Sequence, residues 1–286
     1  FAKAVELITD VAFDSTYPER ELAKEREVIV DEINTYKDSP SDMIFDTFED
    51  MIFEGSELGH NILGTKAALA RHGTDSIRRF TGRTYTTDQM VFSSIGNFSV
   101  TTARDTAARY LAERHTPTRS FQRAVPAVTP AFEKVLNKHT HQVHCIVGAR
   151  AYDINDERRV PLSLLVNILG GPSANSLLNV LLREKNGLSY NIEASYSPYN
   201  DCGFVAIYFS SEHDNADQCR ELIARQIDLM RRETLSARRL SMAKKQFLAQ
   251  MAISMENNES YMLGAGKSLL MHDDIDTLEE VYRKVA

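Results

Sequence analysis

The residues best placed to do chemistry stand in the stretch Lys24 to Ile33, KEREVIVDEI. Glu25 and Glu32 are seven positions apart, and on an α-helix seven residues turn about 700°, so both carboxylates fall on nearly one line, roughly 10 Å apart along the axis. Val28 and Ile29 are read as the face of the same helix toward the core, which puts the carboxylates near that boundary. Taken alone, the stretch reads as a solvated acidic face paired with Lys24 and Arg26. A second stretch, Leu182 to Tyr190 (LREKNGLSY), sets Arg183 where it could complement a helix end and Tyr190 at the start of a strand. His139, His141 and His144 (HTHQVH) form a third cluster. On a strand the first two share a face and the third points away, so a third ligand and its supporting shell are missing. Histidines in a solvated strand entry are the preferred reading.

Two of these stretches resemble one family. KEREVIVDEI is similar to the third-ligand helix of the inverted-motif zinc peptidases, the pitrilysin/insulinase family that includes mitochondrial processing peptidase, and here its bacterial branch. LREKNGLSY resembles that family's second-half segment. Further echoes follow in order: LGHNILGT at Leu58 to Thr65, YTTDQMVFSSIGN at Tyr85 to Asn97, ILGG at Ile168 to Gly171 with Leu177 and Leu178, and MENN at Met255 to Asn258 followed by GKSL at Gly266 to Leu269. The resemblance implies that Glu32 is a zinc ligand and that Glu25 orients a histidine ligand from behind it. Catalytic zinc takes three protein ligands and leaves one position for water, and a carboxylate on the far nitrogen of a histidine ligand fixes its tautomer. It also implies that Arg183 donates to substrate backbone carbonyls and that Tyr190 helps hold the carbonyl oxygen that becomes negative in the transition state.

The family's HxxEH motif is formed by none of the eight histidines. In the family it precedes the glutamate helix, so the chain is expected to be an N-terminally truncated fragment that cannot complete a zinc site alone. The implied activity is zinc-dependent endopeptidase hydrolysis of short or unfolded peptides in a closed chamber between two copies of the chain, a homodimer, with peptide adding as a strand to a sheet edge. The alternative is a non-catalytic scaffolding subunit of the same fold.

Composition is consistent with this and excludes other classes. The chain has 286 residues, 43% hydrophobic and 26% charged, with net charge −7 and no sustained basic stripe, so nucleic acid is not an expected partner. It has no apolar run long enough for a membrane helix. Cys145, Cys202 and Cys219 form an odd count without CxxC spacing, which fits a reducing compartment; a cytoplasmic location is the expectation.

The elements that must position these residues are read from periodicity. Ala4, Leu7, Ile8 and Val11 follow helical spacing. Further helices are expected over Pro18 to Tyr36, Ser41 to Phe53, Asp75 to Arg83, Val100 to His115, Glu157 to Gly170, Ser173 to Glu184 and Asp214 to Glu233. Another starts near Ser236 and buries Leu240, Phe247, Met251 and Met255 on one stripe. Strands are expected over Gln89 to Gly96, His141 to Tyr152, Ser189 to Ser197 and Gly203 to Ser211. Paired strands and runs of helices indicate an α+β fold of two related domains, each an antiparallel sheet packed by helices. The expected boundaries are 1–117 for the latter part of the first domain, 118–133 for a Pro-bearing linker and 134–286 for the second domain.

Overall fold

The computed structural model describes residues 1–114, 116, 118–119 and 123–285, with the side chain of Leu278 left aside; His115, Pro117 and the linker residues Ser120, Phe121 and Gln122 lie outside the described residues. The chain forms two compact units. One comprises Phe1–Ile33, Leu63–Arg123 and Ile253–Thr277, the other Asn34–Ile62, Ala124–Ala252 and Leu278–Ala286. Neither unit is continuous in sequence: residues 34–62 group with the later part of the chain, and residues 253–277 with its start.

The second unit holds the sheet. β1 (Val143–Ala151), β2 (Ser189–Pro198) and β3 (Gly203–Ser211) form a three-stranded antiparallel sheet in the order β1-β3-β2. β2 and β3 make a hairpin, and β1 pairs along the other side of β3, with Cys145 opposite Phe209. Side chains alternate between faces along a strand, and β3 is apolar on both. Ile207 and Phe209 point into one core with Ile192 and Ala194 of β2, Val166 and Leu169 of α7 (Arg159–Gly170), and Cys219 and Ile223 of α8 (Ala216–Arg232). Phe204 and Ala206 point into the other, against Phe48, Ile52 and Phe53 at α3 (Pro40–Ile52). The Phe204 ring meets Phe48 at 5.6 Å and Phe53 at 5.9 Å, both edge to face, as the ring quadrupoles favour.

Close approach of backbone explains the first glycine of the ILGG echo. A Cβ on Gly170 would stand 2.7 Å from the Ala194 Cβ and 2.9 Å from its amide nitrogen. Glycine there lets the end of α7 rest directly on β2.

The first unit is helical among the described residues. α1 (Ala2–Phe13) packs on α6 (Val100–Leu111), and Arg114 grips Asp14 through two hydrogen bonds of 2.7 and 2.5 Å. α4 (Lys66–Leu69) is one short turn capped by the Thr65 hydroxyl. α2 (Glu19–Lys37) is tied to α5 (Thr74–Thr84): the Glu19 carboxylate accepts from the Thr74 amide at 2.7 Å, and Arg26 donates to the His72 carbonyl at 2.7 Å. α9 (Ala237–Glu256), α10 (Asn258–His272) and α11 (Leu278–Val285) complete the chain.

The α+β class and most expected elements are observed, with four corrections. Gln89 to Gly96 forms no strand: Gln89 ends a 3-10 turn (Thr87–Gln89), the residues after it have no ladder partner, Phe92 and Ile95 are exposed, and Ser93 Oγ donates to the Met262 carbonyl instead. An apolar run becomes a strand only when a neighbour takes its N–H and C=O groups. In α1 the buried residues are Val5 and Thr9, while Leu7, Ile8 and Val11 face solvent. No residue of α9 is buried; Phe247, Met251 and Met255 are half-buried and Leu240 is exposed. Ser173 to Glu184 is only partly the expected helix, because Asn179–Lys185 is wound as a π-helix.

The central strand sets the stability of the second unit. Phe209→Ala, at a fully buried position, is expected to lower the unfolding free energy by about 3–5 kcal/mol. Val100→Ala, at a position 84% exposed, should change it by no more than about 0.5 kcal/mol. Urea unfolding of the two variants checks the contrast.

Candidate functional site

Arg183 and Tyr190 stand on the two arms of one closed turn. The first arm is the π-helix Asn179–Lys185, anchored in the core by Leu178 and Leu182, both fully buried. A π turn sets one more residue in the ring than an α turn, so it shifts the direction of the side chains that follow; such turns recur at functional sites. Arg183, next to buried Leu182, is exposed, and its guanidinium has no hydrogen-bond or ion-pair partner among the described residues. The turn is closed by three bonds: the Leu188 amide donates to the Leu182 carbonyl at 2.8 Å, the Gly187 amide to the Arg183 carbonyl at 3.0 Å, and the Asn186 side-chain amide to the Leu181 carbonyl at 2.7 Å. Gly187 has φ +60°, a left-handed conformation that suits glycine at the end of a helix.

The second arm is β2. Ser189 pairs with Ser211 and Asn191 with Ser210, so Tyr190 is an extra residue in the ladder, a β-bulge. A bulge re-aims a side chain that regular alternation would have sent to one face. Ser189 is buried, and its hydroxyl donates to the Ser210 and Asn191 carbonyls, both at 2.9 Å, which pins the bulge. Tyr190 is 60% exposed, and its hydroxyl donates to Glu212 Oε1 at 3.1 Å. That bond to a carboxylate raises the phenol pKa above its ordinary value. Sequence reasoning did not name Glu212. Folding the two strands about the tight turn at Tyr199 to Cys202 brings 190 and 212 side by side, and that register was the available signal.

Glu25 and Glu32 share α2, as their spacing required, and both are exposed. They belong to the first unit, whereas Arg183 and Tyr190 belong to the second. Neither carboxylate pairs with Lys24 or Arg26: Lys24 binds Glu21 at 2.8 Å, and Arg26 binds Glu19 and the His72 carbonyl. Val28 is half exposed to solvent, contrary to the core-facing expectation, and the buried apolar residue of α2 is Ile33. Among the described residues no group of three His, Cys, Asp or Glu side chains gathers where a metal could be held. Glu32 is one carboxylate without co-ligands, so the residues of this chain do not by themselves fit a zinc ion.

The histidine cluster dissolves. β1 begins at Val143, after His139 and His141, and His139 has φ +51°. His144, inside β1, shares a 2.8 Å hydrogen bond between its Nδ1 and the Tyr208 hydroxyl, and burial lowers its pKa below 6.5. The three cysteines are free thiols, and burial pushes Cys145 and Cys202 up to about 11, which leaves them unreactive at neutral pH.

His144 yields a test of its structural role. With its folded-state pKa depressed, the unfolded chain binds the extra proton first, so stability is full above the ordinary histidine value of 6.5 and is lost as pH falls below it. His144→Gln should remove that part of the acid-side decline in a denaturant series between pH 7 and 5.

Comparisons with known proteins agree with the motifs. Residues 74–247 match the family model described as the peptidase M16 inactive domain. The chain is 30% identical over 285 residues to an uncharacterized zinc protease of Bacillus subtilis, covering 99% of this chain and 68% of that one. It is 29% identical over 262 residues to an uncharacterized zinc protease of Rickettsia bellii, covering 90% of this chain and 63% of the relative. The chain thus spans about two thirds of the length of these relatives. The crystal structure of a peptidase M16 inactive domain from Pseudomonas fluorescens superposes with a TM-score of 0.82 over 98% of this chain and 70% of the other, at 18% identity; it shares the fold. Its motifs, its matched domain and its fold together place this chain in the peptidase M16 family.

Proposed function

We propose that this chain is part of a zinc-dependent endopeptidase and carries the substrate-holding half of its chemistry at Arg183 and Tyr190. The observation that carries the reading is the closed turn between the π-helix and β2. Two backbone irregularities in succession, each pinned by hydrogen bonds, present an unpaired guanidinium and a phenol to solvent. A turn with no role beyond linking helix to strand has no need to hold two such groups outward, and relatives of the chain are called zinc proteases.

In this reading the guanidinium donates to backbone carbonyls of an extended peptide, a role suited to its fixed fork of N–H groups. Tyr190 donates to the oxygen of the carbonyl under attack, a bond that strengthens as that oxygen becomes negative. Both contacts are to peptide backbone, so side-chain preference is weak. In the whole protein Glu32 would supply one carboxylate to the zinc, and Glu25 would orient a neighbouring ligand. The remaining ligands are not among the described residues. Two copies of the chain face each other, and the Arg183 and Tyr190 of one copy serve the Glu32 half-site of the other.

In the full-length gene product, Glu32→Gln should lose both bound zinc and chelator-sensitive cleavage of a quenched peptide. Tyr190→Phe should keep the zinc and lose about a hundredfold in kcat, the scale of removing one donor to a developing oxyanion, and Arg183→Ala should keep the zinc and lower kcat/KM. Wild-type protein without zinc and without cleavage would end the peptidase reading.

A further inference from the structure

Tyr190 has one proton to give, and in this structure it is given to Glu212. The carboxylate that takes it is not a passing neighbour. Glu212 follows directly on β3, whose last residue, Ser211, is locked in the ladder opposite Ser189. The Glu212 carbonyl accepts from the Ser211 hydroxyl at 3.0 Å and from the Asn215 amide at 3.1 Å. The next residue, His213, is held through its Nε2 to the Thr140 carbonyl at 2.9 Å. The Glu212 backbone is therefore fixed on one side and the Tyr190 backbone is fixed by the bulge on the other.

The geometry points to Glu212 as a positioning residue for Tyr190, one that holds the phenol's proton until a substrate carbonyl competes for it. The inference rests on the peptidase reading of Tyr190. While Glu212 holds the proton, the phenol oxygen shows only lone pairs to the space outside. It can accept there but cannot donate. To bind a carbonyl oxygen the phenol must rotate its O–H off the carboxylate. A ground-state carbonyl is a weaker acceptor than a carboxylate, whereas the oxyanion of the transition state is a comparable one. The exchange is thus deferred to the chemical step, and its cost falls on kcat rather than on KM. The same contact raises the Tyr190 pKa above its ordinary value.

The test has two parts. In this chain, 13C-tyrosine NMR with Tyr190 assigned by Tyr190→Phe should show its phenol titrating above the ordinary value, and Glu212→Gln should return it there. An identical titration in both proteins overturns the contact. In the full-length gene product, Glu212→Gln leaves a neutral and weaker acceptor. It should raise kcat about threefold with KM unchanged, since a charge-assisted bond is roughly twice as strong as a neutral one. In a Tyr190→Phe background the same substitution should do nothing. An equal effect in both backgrounds, or none in either, overturns the proposal while leaving the peptidase reading intact. A wild-type protein with no cleavage overturns both.

Discussion

The site depends on a short set of backbone hydrogen bonds, those that close the turn between the π-helix and β2. Leu188 and Gly187 return their amides to the carbonyls of Leu182 and Arg183, and Asn186 returns its side-chain amide to Leu181. Helix ends leave carbonyls without partners, and this turn satisfies three of them within eight residues, Leu181 to Leu188, while reversing into a strand. Because Leu182 is wholly buried on the sheet, the turn cannot drift. Arg183 and Tyr190 inherit that rigidity, one from the helix it ends and one from the strand it opens. Their side chains are exposed, yet the backbone that aims them is held by these bonds and by buried Leu182 and Ser189.

The sheet beneath is built to give that anchor. β3 is apolar on both faces and lies between two hydrogen-bonded neighbours, so it couples the core under α7 and α8 to the core under α3. Removing area from such a strand loosens both cores at once. The edge strand β2 can then carry a bulge at its first residues without unzipping, since its remaining length pairs regularly from Asn191 to Pro198. Bulges concentrate at sheet edges next to functional groups for this reason.

Much of this was legible in the sequence because it is local. The carboxylates of α2 share a line because helical geometry requires it, and the KNGL run marks a helix end followed by a strand. What could not be read is what depends on partners elsewhere. The Gln89 to Gly96 run has strand composition but joins no ladder among the described residues, so it forms no strand. The α9 stripe has helical period but finds no face that buries it fully. The π winding of Asn179–Lys185 and the bulge at Tyr190 are one-residue insertions in otherwise regular patterns, and periodicity over a few residues does not resolve them. Glu212 was hidden for a related reason: it meets Tyr190 through strand register, and no spacing along the chain reveals that.

The central claim is that the Arg183–Tyr190 turn of one chain completes the Glu32 half-site of another. Mixing two impaired full-length proteins, Glu32→Gln and Arg183→Ala, measures it most directly. In a mixed pair one half-site has both defects, and the other joins an intact Glu32 to an intact Arg183. The account predicts that peptide cleavage, absent from Glu32→Gln and low in Arg183→Ala, rises on mixing above the sum of the two and tracks the fraction of mixed pairs. A mixture that exchanges subunits without that rise would contradict it.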